Sequence, residues 1–257
     1  MTEIHSTAIV DPSALIGDDC KIGPYCVVGP HVELGEGCIL DGHVMVQGPS
    51  IIGKQNKFHP FSSIGGRSQD LKYEGEPTRL IIGNDNVFRE FVTINRSTRP
   101  GFQTVIGNWG NFLAYSHIAH DCHVGDYVIF SNNGTLAGHV TVEDYVIIGG
   151  LTAVHQFCRI GQHALTGGCS KIVQDVPPFM IADGNPAEAR GINTIGLKRR
   201  GFQESEISAL KDAHRILYRS CLNVRPALKK IREEIPLIAP IDAFLAFVES
   251  SNRGIVG

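Results

Sequence analysis

The chain has 257 residues, of which 42 % are hydrophobic and 19 % charged, and its formal net charge is −3. This balance excludes a disordered chain, and it offers no bulk basic field for nucleic acid. Glycine is in excess: 29 residues, about 11 % against about 7 % in average usage, and a chain that still looks able to fold then implies many tight turns.

The first residues, Met1-Thr2-Glu3-Ile4-His5, carry neither the basic region nor the apolar stretch of a signal peptide. No run of about 18 apolar residues appears, so no transmembrane segment is expected and a cytoplasmic location is the default. From Ile4 a six-residue frame begins and runs to Ile172. Of its 29 slots, 25 hold an aliphatic residue or Phe. The residue after the slot is Gly at twelve places, from Gly17 and Gly23 to Gly161 and Gly167. The fourth residue after it is small or β-branched, as at Ala8, Val32, Ser116 and Thr152. This hexapeptide code is that of a parallel β-helix, in which three short strands close a triangular coil of eighteen residues. Glycine is expected in its slot because the turn backbone tolerates no Cβ there. Cys20, Cys26, Cys38, Cys122 and Cys158 all fall in the small slot and are expected as reduced packing residues; Cys169 and Cys221 lie outside it and receive no role.

The frame breaks at Asp70 and Glu76, within a polar stretch at 66–79, and again at Pro100, within 99–104. Both are expected as loops leaving the prism, where function is often carried. Beyond Ile172 the pattern dissolves through Val176-Pro177-Pro178-Phe179. Apolar stripes of helical spacing follow: Ile207, Leu210, His214 and Leu217, then Leu228, Ile231 and Ile235, then Ile241, Phe244, Leu245 and Val248. The expected organisation is a β-helix over 1–184 and a three-helix domain over 185–257 that could cap the open end of the solenoid.

Five of the eleven histidines lie between 117 and 155. With an eighteen-residue coil, His120 stacks under Gly138 and then Gln156, while Asp121 stacks under His139 and then Phe157. An imidazole, a carboxylate and a backbone amide free of a Cβ then share one face. Such a set suits acyl transfer to a hydroxyl: the imidazole takes the proton, the carboxylate fixes its tautomer, and the amide stabilises the oxyanion. From spacing alone, His120 also reads as a surface histidine on a turn. His155 holds a slot that usually carries glycine, which reads either as function or as a tolerated substitution. His5, His31, His43, His163 and His214 are read as surface or packing residues.

These stretches together resemble the UDP-N-acetylglucosamine acyltransferase family over almost the whole chain. The motifs are Gly29-Pro30-His31-Val32-Glu33, Gln69-Asp70-Leu71-Lys72-Tyr73, Gly75-Glu76-Pro77-Thr78-Arg79, His117-Ile118-Ala119-His120-Asp121-Cys122, Leu136-Ala137-Gly138-His139-Val140, Thr152-Ala153-Val154-His155-Gln156-Phe157-Cys158, Gln174-Asp175-Val176-Pro177-Pro178, and Gly196-Leu197-Lys198-Arg199-Arg200-Gly201-Phe202. The resemblance implies a homotrimer of left-handed β-helices with sites in the clefts between subunits. It implies transfer of an (R)-3-hydroxyacyl group from the phosphopantetheine of acyl carrier protein to the glucosamine 3-hydroxyl of UDP-N-acetylglucosamine, in lipid A biosynthesis, with no cofactor or metal. The family's base falls on His120, its orienting carboxylate on Asp121 and its oxyanion amide on Gly138. Sugar and phosphate contacts fall on Asp70, Lys72, His117, His139, His155 and Gln156, and nucleotide contacts on Asn193, Arg199 and Arg200. The acyl-chain ruler falls on Gly168, which leaves the groove open to a longer chain. Lys198-Arg199-Arg200, taken alone, reads as a solvated helix start; with the resemblance it would steer the acidic carrier protein locally. Two positions depart from the family: Ile195, often Glu, and Asn95, often His.

Competing readings are the later N-acyltransferase of the same pathway, which normally adds an N-terminal domain, a hexapeptide carbonic anhydrase, whose two histidines spaced by five are missing here, and a scaffold without chemistry.

Overall fold

The computed structural model describes residues 1–257. Its strands are mostly two to four residues long and form three parallel sheets, each strand pairing with the third before it and the third after it. Three strands therefore make one coil, and the chain winds a left-handed parallel β-helix. The eighteen-residue step is visible in the register His117↔Thr135↔Ala153↔Lys171.

The slot residues fill the prism. Phe58, Phe88 and Phe112 stack face to face inside it, with centroids 4.8–4.9 Å apart, and Phe130 follows at 5.2 Å. The five small-slot cysteines are fully buried and unpaired, whereas Cys169 and Cys221 are exposed. Burial pushes the Cys122 thiol up to about 12, so it stays protonated and unreactive. At the N-terminal end the first slot is open, and Ile4 is half exposed.

The glycine slot works differently from the expectation. Those glycines mostly have ordinary φ, and the left-handed backbone falls two residues later, on Tyr25 (φ 57°), His43 (φ 60°), Tyr127 (φ 56°) and their equivalents. Glycine is needed in its slot because successive coils touch there: a Cβ on Gly35 would lie 2.6 Å from the carbonyl carbon of Gly53, and one on Gly17 2.7 Å from the amide of Glu36. Side chains at the left-handed corners instead point outward and stack along the prism. Tyr25, His43, Phe61, Phe91 and Tyr115 form one such ladder, and Trp109, Tyr127, Tyr145 and His163 another.

The two loops leave the prism after the strands Ser63–Gly66 and Thr93–Asn95 and return at Arg79–Ile82 and Gln103–Ile106. Register across them steps from Ile64 to Ile94 and from Ile94 to Ile118. Both steps are multiples of six, which keeps the frame in phase beyond the loops. The second loop does not simply leave: Arg96, Ser97 and Thr98 are buried.

A hairpin of Met180–Gly184 and Ala187–Ile192, absent from the sequence reading, extends one sheet of the prism. Residues 184 and 185, where the domain boundary was expected, lie at its turn. Four helices follow: α1 (Thr194–Arg199), α2 (Glu204–Arg219), α3 (Val224–Glu234) and α4 (Ala239–Glu249). The three expected stripes are those of α2, α3 and α4; α1 is a further short helix, and the basic run lies at its end, not at a helix start. The helices bury a second core with Phe179, Met180 and Ile192, so they cover the C-terminal end of the solenoid.

Candidate active site

His120 and Asp121 sit on the corner that joins the strand His117–Ile118 to the strand His123–Val124. Asp121 takes the left-handed corner conformation, φ 60°. The next two coils place His139 and Phe157 at the same corner, and their rings stack at 4.6 Å. The column expected from the coil length is therefore present.

The Nδ1 atom of His120 lies 2.8 Å from Oδ2 of Asp121. A carboxylate can only accept, so Nδ1 carries the proton and donates it, leaving the Nε2 lone pair free. The Asp121 side chain is 4 % exposed and that of His120 12 %. Burial acts to raise the Asp121 carboxyl, but hydrogen bonds from His120 and Thr98 outweigh it and hold the group below the usual carboxylate range. The Thr98 amide donates to the same Oδ2 at 3.1 Å, and Thr98 Oγ1 stands 3.0 Å from Nδ1 of His120. The Asp121 amide donates to Thr104 Oγ1 at 2.9 Å. Oδ1 of Asp121 is buried without a partner. His139 completes the group: its Nε2 lies 3.8 Å from Asp121 Oδ2, and its ring meets that of His120 edge-on at 5.2 Å. Burial lowers the His139 imidazole, with Asp121 opposing. The donor atoms of His120, Asp121 and His139 lie within 4.8 Å of one another, a spacing that a metal ion could also use.

Gly138 is set against the His120 ring. A Cβ there would lie 2.6 Å from Nε2. Its amide donates to no group in the chain, so an unshielded N–H stands beside the imidazole. Both residues line a cleft of about 490 Å³ that also takes in His117, His155, Gln156 and Gln69. Its floor is the outer face of one sheet, with Thr135, Ala153 and Lys171 in register. His117 bonds to Thr93 Oγ1 through Nδ1 at 2.7 Å; burial, then the neighbouring His120, lowers its imidazole. His155 is exposed, with Arg253 3.4 Å from its Nδ1. That arginine was missed because it lies almost a hundred residues away on the C-terminal tail.

Asp70 and Lys72 lie on the first loop, Lys72 exposed and Asp70 close enough to His139 to favour its charged form. Asn95, one of the two departures, donates to the Arg67 carbonyl at 2.7 Å and so anchors the base of that loop. Gly168 lies on the opposite edge of the cleft floor, where a Cβ would meet only the Gly150 carbonyl at 3.5 Å.

Asn193, Arg199 and Arg200 are not brought to this cleft. Asn193 caps α1 through the Gly196 amide and donates to the His163 carbonyl. Arg200 lies over the Tyr145 ring at 4.7 Å. Tyr145 and His163 belong to another corner of the prism, so the residues expected at one site lie at two separate corners of one chain. Lys198 is paired with Glu204, which removes one free charge from the basic run. Ile195, the other departure, is exposed.

A family model described as UDP N-acetylglucosamine O-acyltransferase, domain 2, matches residues 175–256, and one for the bacterial transferase hexapeptide matches residues 1–36. Among solved structures, LpxA of Acinetobacter baumannii is 45 % identical, with 99 % of each chain covered and a TM-score of 0.96. UDP-N-acetylglucosamine O-acyltransferase of Moraxella catarrhalis is 42 % identical over 99 % of each chain, with a TM-score of 0.94. The UDP-N-acetylglucosamine acyltransferase of Bacteroides fragilis is 35 % identical over 99 % of this chain and 100 % of its own, with a TM-score of 0.97. No helix is long and apolar enough to cross a membrane.

Proposed function

The chain belongs to the UDP-N-acetylglucosamine acyltransferase family, and from that premise we propose that it transfers an (R)-3-hydroxyacyl group from acyl carrier protein to the glucosamine 3-hydroxyl of UDP-N-acetylglucosamine, in lipid A biosynthesis. The observation that carries this reading is His120, paired with the buried Asp121, beside the free Gly138 amide, with His120 and Gly138 lining one cleft.

An alcohol is a weak nucleophile at neutral pH. With its Nδ1 proton held by Asp121, His120 offers Nε2 to the sugar hydroxyl and takes its proton as the oxygen attacks the thioester carbonyl. The imidazolium formed is stabilised by the buried carboxylate. The carbonyl oxygen gathers negative charge and is met by the Gly138 N–H. Collapse of the tetrahedral intermediate expels the pantetheine thiolate, which recovers a proton from His120. No covalent enzyme intermediate is needed, since the acceptor attacks directly, and the buried thiol of Cys122 takes no part.

Asp70, Lys72, His117, His139, His155 and Gln156 are assigned to the sugar and phosphates, and Asn193, Arg199 and Arg200 to the nucleotide. Because the two sets lie at different corners, a complete site forms when a neighbouring copy brings its second set to the first cleft; this supports the homotrimer. Gly168 is assigned as the acyl ruler and favours a longer chain. The reaction needs no cofactor.

His120→Ala tests the assignment. Turnover with UDP-N-acetylglucosamine and acyl carrier protein should fall by about three orders of magnitude, with an unchanged thermal transition. Near wild-type turnover would remove His120 as the base.

A further inference from the structure

The first loop and the catalytic pair are joined by a chain of hydrogen bonds that the proposed mechanism does not use. On the loop, the Lys72 amide donates to Asp70 Oδ1 at 2.9 Å and the Asp70 amide to Ser68 Oγ at 3.2 Å. Ser68 Oγ lies 2.8 Å from Thr98 Oγ1. Thr98 then meets both members of the pair: its Oγ1 is 3.0 Å from His120 Nδ1, and its amide donates to Asp121 Oδ2. Thr98 is 4 % exposed and lies at the start of the second loop. A buried hydroxyl with two polar partners is fixed in orientation, because an unmet partner there is costly.

We infer that Thr98 is a positioning residue for the base, and that Ser68 couples it to the loop bearing Asp70 and Lys72. The inference rests on the proposed role of His120 and deepens it. Nδ1–H of His120 points between two acceptors, Asp121 Oδ2 and Thr98 Oγ1. Two acceptors on one side of the ring hold the proton on Nδ1 and fix the ring plane, so Nε2 faces the cleft with its lone pair. The hydroxyl adds what Asp121 alone lacks, a connection to the loop. When a phosphorylated sugar draws on Asp70 and Lys72, Ser68 transmits the loop's position to Thr98, and the base is held in its working tautomer.

The test uses the full-length protein with the isosteric Thr98→Val, with Thr98→Ser and with Ser68→Ala. Imidazole nitrogen resonances of histidine-labelled protein report the His120 tautomer without any turnover. Wild type should show a single Nδ1–H form. Thr98→Val should show a mixture, and Thr98→Ser should restore the single form. Addition of UDP, which lacks the sugar that meets Nε2, should shift the His120 signals in wild type and leave them unmoved in Ser68→Ala. In the acyl-transfer assay Thr98→Val should lose about tenfold or more in kcat, the worth of one hydrogen bond to the reacting group, with KM within about twofold. An unchanged tautomer in Thr98→Val, or a failure of Thr98→Ser to recover, would overturn the inference, as would an undiminished nucleotide response in Ser68→Ala. If the protein transfers no acyl group, the proposed function falls, while the tautomer measurement still decides the role of Thr98.

Discussion

Gly138 meets two demands that pull on the same atoms. The His120 ring needs the space a Cβ would fill, and the bare amide beside it needs to face the cleft. Gly138→Ala therefore puts a methyl group 2.6 Å from Nε2 of His120. The ring must turn away from the cleft or from Asp121, and a displacement of about 1 Å at a reacting group costs on the order of a hundredfold. We expect kcat to fall by about that factor or more, while sugar-nucleotide binding by calorimetry stays near wild type. An alanine variant with wild-type kcat would show that the ring has no need of that space. His120, Asp121, Gly138 and His139 were legible in the sequence because the coil is eighteen residues long and nothing interrupts it between His117 and Lys171. Thr98, Ser68 and Thr104 were not. They lie on or beside loops where coil arithmetic stops, and a threonine among polar residues carries no periodic mark of burial.

At the scale of the element, the hexapeptide frame located nearly every strand, since one inward residue per short strand is what a narrow prism can bury. It misread why glycine recurs. A one-dimensional pattern records that a side chain is absent, not whether backbone angle or a neighbouring coil excludes it; the left-handed angle falls on corner residues whose varied identities hide it. The hairpin after Phe179 was missed because its strands follow no six-residue frame and run through Ala, Asp, Glu and Arg. The corner ladders have a consequence for stability. His163 stacks on Tyr145 at 4.7 Å and meets Phe202 edge-on. Burial there, helped by Arg200, lowers its imidazole to about 4, against about 6.5 in an unfolded chain. Between those values the unfolded chain binds a proton that the folded chain refuses, so stability is full above about 6.5 and is lost as pH falls toward 4. His163→Phe keeps the stack and removes that proton. Its melting temperature should decline less steeply than that of wild type from about pH 6.5 to about pH 4.5, by calorimetry. Parallel curves would show that His163 contributes nothing to the acid side.

For the whole molecule, the three corners of the prism divide the labour. One carries His120, Asp121 and His139. A second carries the ladder against which Arg200 and Phe202 pack. The third carries Tyr25, His43, Phe61, Phe91 and Tyr115, exposed and stacked. The separation of the residues proposed for catalysis from those proposed for the nucleotide could not be seen in a linear sequence, where Gln156 and Asn193 seem close. It follows only from which strands flank each corner. The cleft is proposed to move a hydroxyacyl chain onto a sugar hydroxyl. The most direct measurement incubates purified protein with UDP-N-acetylglucosamine or its 3-amino analogue and with (R)-3-hydroxyacyl carrier proteins of graded chain length, and identifies the product by mass spectrometry. A single acyl group on the glucosamine 3-oxygen of UDP-N-acetylglucosamine is expected, with longer donors preferred because Gly168 leaves its edge of the groove open. No acylated sugar nucleotide from any donor, together with stoichiometric zinc on His120, Asp121 and His139, would contradict it.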